Sequence, residues 1–148
     1  MLQKRNRSYF RIKDLHWRYR SRVDHPIPSD ELITRVWQAL VYAQNAACDA
    51  AKQFLESYNS DTEDIFAPPE DGFAYVVLSD PRSEVTQAFL YAEAANAYPD
   101  VGYYIHAATS GASTNSIIGA EEAAAKAARE ELQKVFPNEQ MDIYSALH

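Results

Sequence analysis

Apolar and polar positions change period several times along this chain, and each change marks an element. From Leu15 the pattern alternates. Leu15, Trp17, Tyr19, Ser21 and Val23 fall on one side, and His16, Arg18, Arg20 and Arg22 on the other. A period of two with aromatics predicts a half-buried strand centred on 17–20, at or near a sheet edge. Phe10 and Ile12, set between Arg11 and Lys13, suggest an earlier strand. Pro26-Ile27-Pro28 should break the pairing. Ser29 or Asp30 then caps a helix, with Asp30 and Glu31 at the positive end of its dipole. Ile33, Val36, Leu40, Ala43, Ala47, Ala51, Phe54 and Tyr58 recur at spacings of three and four, which predicts a helix through 33–55 and on to about Tyr58.

An acidic, proline-containing loop follows over 59–72. It lacks the glycine and distal glutamate of a calcium loop. The apolar run 73–78 has the length of a strand buried on both faces. Asp80-Pro81 resembles an N-cap followed by the first helical residue, and Val85, Ala88, Phe89, Ala92 and Ala95 predict a helix over 84–95 that Pro99 ends. A strand is expected over 101–108, centred on 103–106. Next come a polar loop from Thr109, an alanine-rich helix near 120–135 that includes 122–133, and a short strand within 141–144. Strands alternating with helices imply βαβ units. The expected fold class is α/β, with α+β as the neighbouring possibility: two layers, three helices on a mixed sheet of four to five strands. The expected core contains Val36, Leu40, Ala47, Phe54, Val76, Leu78, Phe89, Ile105 and Leu132.

Size and composition fit this picture. The chain has 148 residues, 47% hydrophobic and 12% aromatic. A single domain of this length buries about 68–70% of its unfolded surface without a disulfide or metal. No apolar run approaches the roughly 20 residues that span a bilayer, so no membrane contact is expected. The basic start of the chain lacks the apolar stretch of a signal peptide. A lone cysteine, Cys48, excludes an internal disulfide and fits a reducing, cytoplasmic setting. Among alanines on a helix it is expected to be buried and inert.

Charge changes the picture most. The net charge of −7 hides a split. Residues 1–22 carry eight basic side chains and one acid, a net +7, while the remainder carries six basic and twenty acidic side chains, a net −14. Such asymmetry points to a nucleic-acid arm or to contact with an acidic partner. Arg5, Arg7, Arg11, Arg18, Arg20 and Arg22 are the candidate partner-binding residues, because arginine forks grip phosphate and carboxylate bidentately. The plain structural reading is that this segment folds back on its own acidic body.

Catalytic signatures are missing. The four histidines have no zinc spacing, and no Walker A, dinucleotide or nucleophile-elbow pattern occurs. No cofactor and no metal are expected. One loop has candidate ligand chemistry: Ser110, Gly111, Ser113 and Thr114, with His106 on the preceding strand. Small residues before a helix start let backbone N–H groups approach a phosphate or sugar. Glu121 and Glu122 oppose that, because they already complement the dipole.

Three functions follow. The first is a non-enzymatic binding protein whose 1–22 segment contacts nucleic acid or an acidic macromolecule. The second inverts the polarity: the acidic body binds a basic, nucleic-acid-binding protein, as an inhibitor or nucleic-acid mimic. The third is a small enzyme with its ligand at the 109–116 loop. The alternation also separates structural from functional roles within one strand. Trp17→Ala should cost about 3–5 kcal/mol, the loss for an emptied core tryptophan site. Neutralising Arg18, Arg20 and Arg22 should change stability by no more than about 0.5 kcal/mol per site. Urea unfolding of both variants checks this pair of outcomes.

Overall fold

The computed structural model describes residues 9–10, 25–61, 70–98, 101–112 and 117–147. The arginine-bearing strand expected at 17–20 lies outside them. On either side of that stretch, β1 (Tyr9–Phe10) pairs antiparallel with β2 (His25–Pro26). The chain is thus still paired at Pro26, where a break was expected. Proline lacks only the N–H, which an edge of a two-stranded ladder tolerates.

Helix α1 spans Asp30–Asp61. Ser29 caps it: its Oγ accepts from the Leu32 N–H at 3.1 Å, and its carbonyl accepts from Ile33 at 3.0 Å. The predicted stripe is the buried one. Val36, Leu40, Ala43, Ala47 and Ala51 are buried and Phe54 is half-buried, whereas Arg35, Gln38, Asn45, Asp49, Lys52 and Glu56 are exposed. Cys48 is exposed as well, contrary to expectation. It sits one position past the stripe, about 100° around the helix from Ala47.

The principal sheet has four strands in the order β4-β5-β3-β6: β4 Asn96–Tyr98, β5 Gly102–Ile105, β3 Gly72–Leu78 and β6 Met141–Leu147. Every neighbouring pair is antiparallel, so the expected mixed sheet with parallel βαβ neighbours is corrected. A short strand is the cause. The helix after β3 was expected to run to 95, but α2 covers only Glu84–Tyr91. Ala92 is its C-cap, and Glu93 adopts a left-handed conformation at φ 58°. The Glu93 N–H donates to the Leu90 carbonyl at 3.0 Å and the Ala94 N–H to Phe89 at 2.9 Å. That is a Schellman ending with glutamate at the position where glycine is usual. The freed residues form β4, which turns the chain back and makes β5 antiparallel to β3.

Other boundaries shift for local reasons. Asp80 does not cap α2. Its Oδ1 accepts from the Arg82 N–H at 2.9 Å within a turn, and Ser83 is the cap, accepting from Thr86 at 3.0 Å. Strand β5 ends at Ile105 rather than 108, because His106–Thr109 forms the one-turn helix α3 and turns Ala108 into the core. Two successive alanines favour helix over strand. Helix α4 covers Ile118–Val135, as expected from the alanine-rich stretch near 120–135.

The four helices and the inward face of the sheet share one core. Val76, Leu78, Tyr103, Ile105 and Met141 from the strands meet Phe89, Ala108, Leu132 and the α1 stripe. Helix α1 runs antiparallel to α4. Phe54 lies against Gly119, where a Cβ would meet its ring at 2.2 Å, and Arg35 Nη2 reaches the Val135 carbonyl at 2.8 Å. With α3 set aside, β3-α2-β4-β5-α4-β6 follows the β-α-β-β-α-β order of a split βαβ unit.

Glu93 offers a direct test of the α2 ending. A left-handed non-glycine residue costs about 1–2 kcal/mol that glycine avoids. Glu93→Gly should therefore stabilise the protein by about 1 kcal/mol, and chemical denaturation reads this as a higher midpoint at an unchanged slope.

Candidate binding face of the sheet

Strand β3 presents Gly72, Ala74, Val76 and Leu78 to the helices. By alternation it presents Phe73, Tyr75 and Val77 to the opposite face. The ladder registers extend that face. Tyr104 aligns with Val77 and with Asn96, Tyr144 aligns with Tyr75, Asp142 aligns with Val77, and Tyr98 aligns with Gly102. Phe73, Tyr75, Tyr98, Tyr104 and Tyr144 thus share the side of the sheet away from the helices, all five half-buried. Asn96 and Asp142 on the same face are exposed.

The rings touch one another. Tyr75 and Tyr104, on the two central strands, have centroids 4.7 Å apart, and Phe73 lies 5.5 Å from Tyr75 and 6.1 Å from Tyr144. Tyr98 starts on edge strand β4, yet it reaches 5.8 Å from Tyr104 and 5.3 Å from Tyr144 on the opposite edge. Its ring therefore lies across the face. Gly102 makes room beside it: this residue has φ 133°, and a Cβ there would come within 2.8 Å of the Leu78 carbonyl oxygen. Such tilted and edge-on pairs contribute about 0.5–1.5 kcal/mol each beyond area burial. The cluster is a pre-formed aromatic floor with a polar residue at each end of its Asn96–Tyr104–Val77–Asp142 row.

None of these five rings is among the residues singled out from sequence. Arg5, Arg7, Arg11, Arg18, Arg20 and Arg22 are outside the described residues, as are Ser113 and Thr114. His106 is half-buried and edge-on to Tyr104 at 6.0 Å. It also lines a groove of about 350 Å³ with Trp37, Leu40, Val41, Gln44 and Ser110. The Ser110 carbonyl accepts from Gln44 Nε2 at 2.9 Å, which ties the loop to α1. Gly111 is exposed at φ 74°. The start of α4 is engaged by protein: the Ile118 N–H donates to the Glu70 carbonyl at 3.0 Å, beside an antiparallel bridge between Asp71 and Ile117. Glu121 occupies the first turn of α4. Among the described residues no group of three or more histidine, cysteine or acidic side chains could hold a metal ion. None of their helices is long and apolar enough to cross a membrane.

No protein-family model, no curated protein and no solved structure matches this chain.

Tyr75 and Tyr98 both hold their phenolic protons more tightly than a free tyrosine. Desolvation is the first cause at each. Tyr104, Glu121 and Tyr98 add electrostatic resistance at Tyr75, and Tyr144 does so at Tyr98. The raised values fix the direction of the pH dependence. Below the ordinary tyrosine value of 10.0 both states keep the proton and the full contribution is present. Above it the unfolded chain ionises first, and stability falls as pH rises toward the folded value. Thermal melts should show an alkaline loss of stability above about pH 10, the unperturbed phenol value. That loss should be smaller in Tyr75→Phe.

Proposed function

We propose that this chain is a non-enzymatic binding protein for single-stranded nucleic acid. Bases stack on the aromatic face of the sheet, and phosphates are neutralised by the basic 1–22 segment. The observation that carries the reading is the cluster of five half-buried rings on the face opposite the described helices, with Tyr75 and Tyr104 on its two central strands. Single-stranded bases are recognised by stacking on aromatic side chains, and four-stranded sheets with such rings are one scaffold for it. Each stacked base is worth about 1–3 kcal/mol by alanine substitution.

This division of labour also suits the charge split. In the strand that the sequence predicts over 17–23, arginines and aromatics would face opposite ways, so one face could not both stack bases and hold phosphates. With stacking assigned to the sheet, the arginines need only supply phosphate contacts. A small-ligand site at the 109–116 loop draws less support, because the Ser110 carbonyl and the first N–H of α4 already have protein partners.

One observation favours a second reading, in which the acidic body binds a basic protein. The described residues hold sixteen acidic side chains and six basic ones. Long-range charge of one sign steers an oppositely charged partner at rates that fall with salt.

Fluorescence anisotropy with a labelled single strand of about ten nucleotides, within the usual 4–16 per site, tests the proposal. Tyr75→Leu and Tyr104→Leu should each weaken binding about 5–150-fold, the equivalent of 1–3 kcal/mol, while circular dichroism stays unchanged. Neutralising Arg18, Arg20 and Arg22 should lower the slope of log affinity against log salt by about 0.7 per lost phosphate contact. If no single strand binds even at low salt, the proposal fails. Capture of a basic protein by the same sample would then establish the second reading.

A further inference from the structure

Strand β6 has the features of an edge made for pairing. It runs seven residues, Met141–Leu147, and all seven register with β3 without a bulge. Among the described residues it pairs with β3 alone, so its outer edge offers a regular row of backbone donors and acceptors. Edge strands are normally blunted by lysine, proline, a bulge or shortness. This one has none of these; its single charge is Asp142, on the aromatic face. Leu147, at 57% exposure, is one of the few exposed large apolar side chains among the described residues.

We propose that the outer edge of β6 pairs antiparallel with β6 of a second copy of this chain, with the two-fold axis through Tyr144. The strand's own sequence selects the occupant. About that axis Met141 meets Leu147 of the partner, Asp142 meets Ala146, Ile143 meets Ser145 and Tyr144 meets Tyr144. No like charges are opposed, the exposed Leu147 gains an apolar neighbour, and the central pair is aromatic, a favourable cross-strand combination. A two-fold axis normal to the sheet keeps equivalent faces on one side. The dimer is a continuous eight-stranded sheet, and its two aromatic clusters form one surface. This inference does not depend on what that surface binds.

Light scattering in reducing buffer tests it first, since reduction removes any link through exposed Cys48. A mass of twice 16.7 kDa is expected, falling to the single value on dilution. Cross-linking in a Cys48→Ser background then reads the register. Tyr144→Cys should form a covalent dimer under mild oxidation. Asp142→Cys alone should not, but mixed with Ala146→Cys it should, because a disulfide needs Cα atoms within about 7 Å. Should Tyr144→Cys fail to fold, the 142/146 mixture decides alone. A wild-type chain that stays monomeric at hundreds of micromolar, or a dimer in which the 142/146 mixture does not cross-link, overturns the proposal.

Discussion

The structure depends on how closely α1 can approach α4. Ala39, Ala43, Ala47 and Ala51 recur at every fourth residue of α1, and Ala120, Ala124 and Ala128 do so on α4, all fully buried. Ridges spaced by four pack into one another, and methyl-sized ridges let the two backbones come near. The seam is pinned at both ends. Gly119 leaves space for the Phe54 ring at one end, and at the other the Arg35 guanidinium bonds the Val135 carbonyl and lies 5.0 Å over the Phe136 ring. Each alanine buries little area, so no single residue dominates. The geometry does: a larger side chain anywhere along the seam would have to separate two helices whose other contacts fix them. Because α1, α2, α3 and α4 all gather around this core, none of the described helices lies on the aromatic side of the sheet.

What was legible in the sequence was what periodicity encodes directly. The α1 stripe, the apolar run of β3 and the burial of Val76, Leu78, Phe89, Ile105 and Leu132 all follow from spacing. What was not legible depended on single backbone conformations. Nothing in Ala92-Glu93-Ala94 announces a helix end, because the left-handed position that glycine usually marks is filled by Glu93. With that end hidden, the three-residue β4 stayed inside a predicted helix. One short strand then decides whether β5 returns parallel or antiparallel to β3. A local error of a few residues thus became an error of topology. Cys48 failed for a smaller reason: one step along a helix separates the buried stripe from solvent.

The aromatic face was missed because a run such as Phe73-Ala74-Tyr75-Val76-Val77-Leu78 reads as a strand buried on both sides. The alternation of small with aromatic residues was nonetheless there. Gly72 and Ala74 are small because Ile118 of α4 packs on that side; a Cβ on Gly72 would meet its Cδ1 at 2.5 Å. Phe73 and Tyr75 are large on the other side, which none of the described helices covers. Tyr98, Tyr104 and Tyr144 could not be added from sequence, since only the strand order brings them beside β3.

On the proposed function, the sheet face and the basic segment would supply two different energies. The sheet face offers ring surface, with Asn96 and Asp142 as its exposed polar neighbours and no lysine or arginine on its strands. A carboxylate beside the rings repels phosphate but accepts hydrogen bonds from the amino groups of bases. Ring stacking of this kind is nearly independent of salt, whereas phosphate contacts made by arginine release counterions and are strongly salt-dependent. A strand lying on this face would turn its bases toward the rings and its phosphates away from Asp142. Under the proposed function, the net +7 of residues 1–22 would supply the charge that such phosphates require, and the net −14 of the remainder would discourage backbone contact elsewhere. On that proposal the acidic body and the basic segment would act together, one restricting and the other attracting the same polyanion.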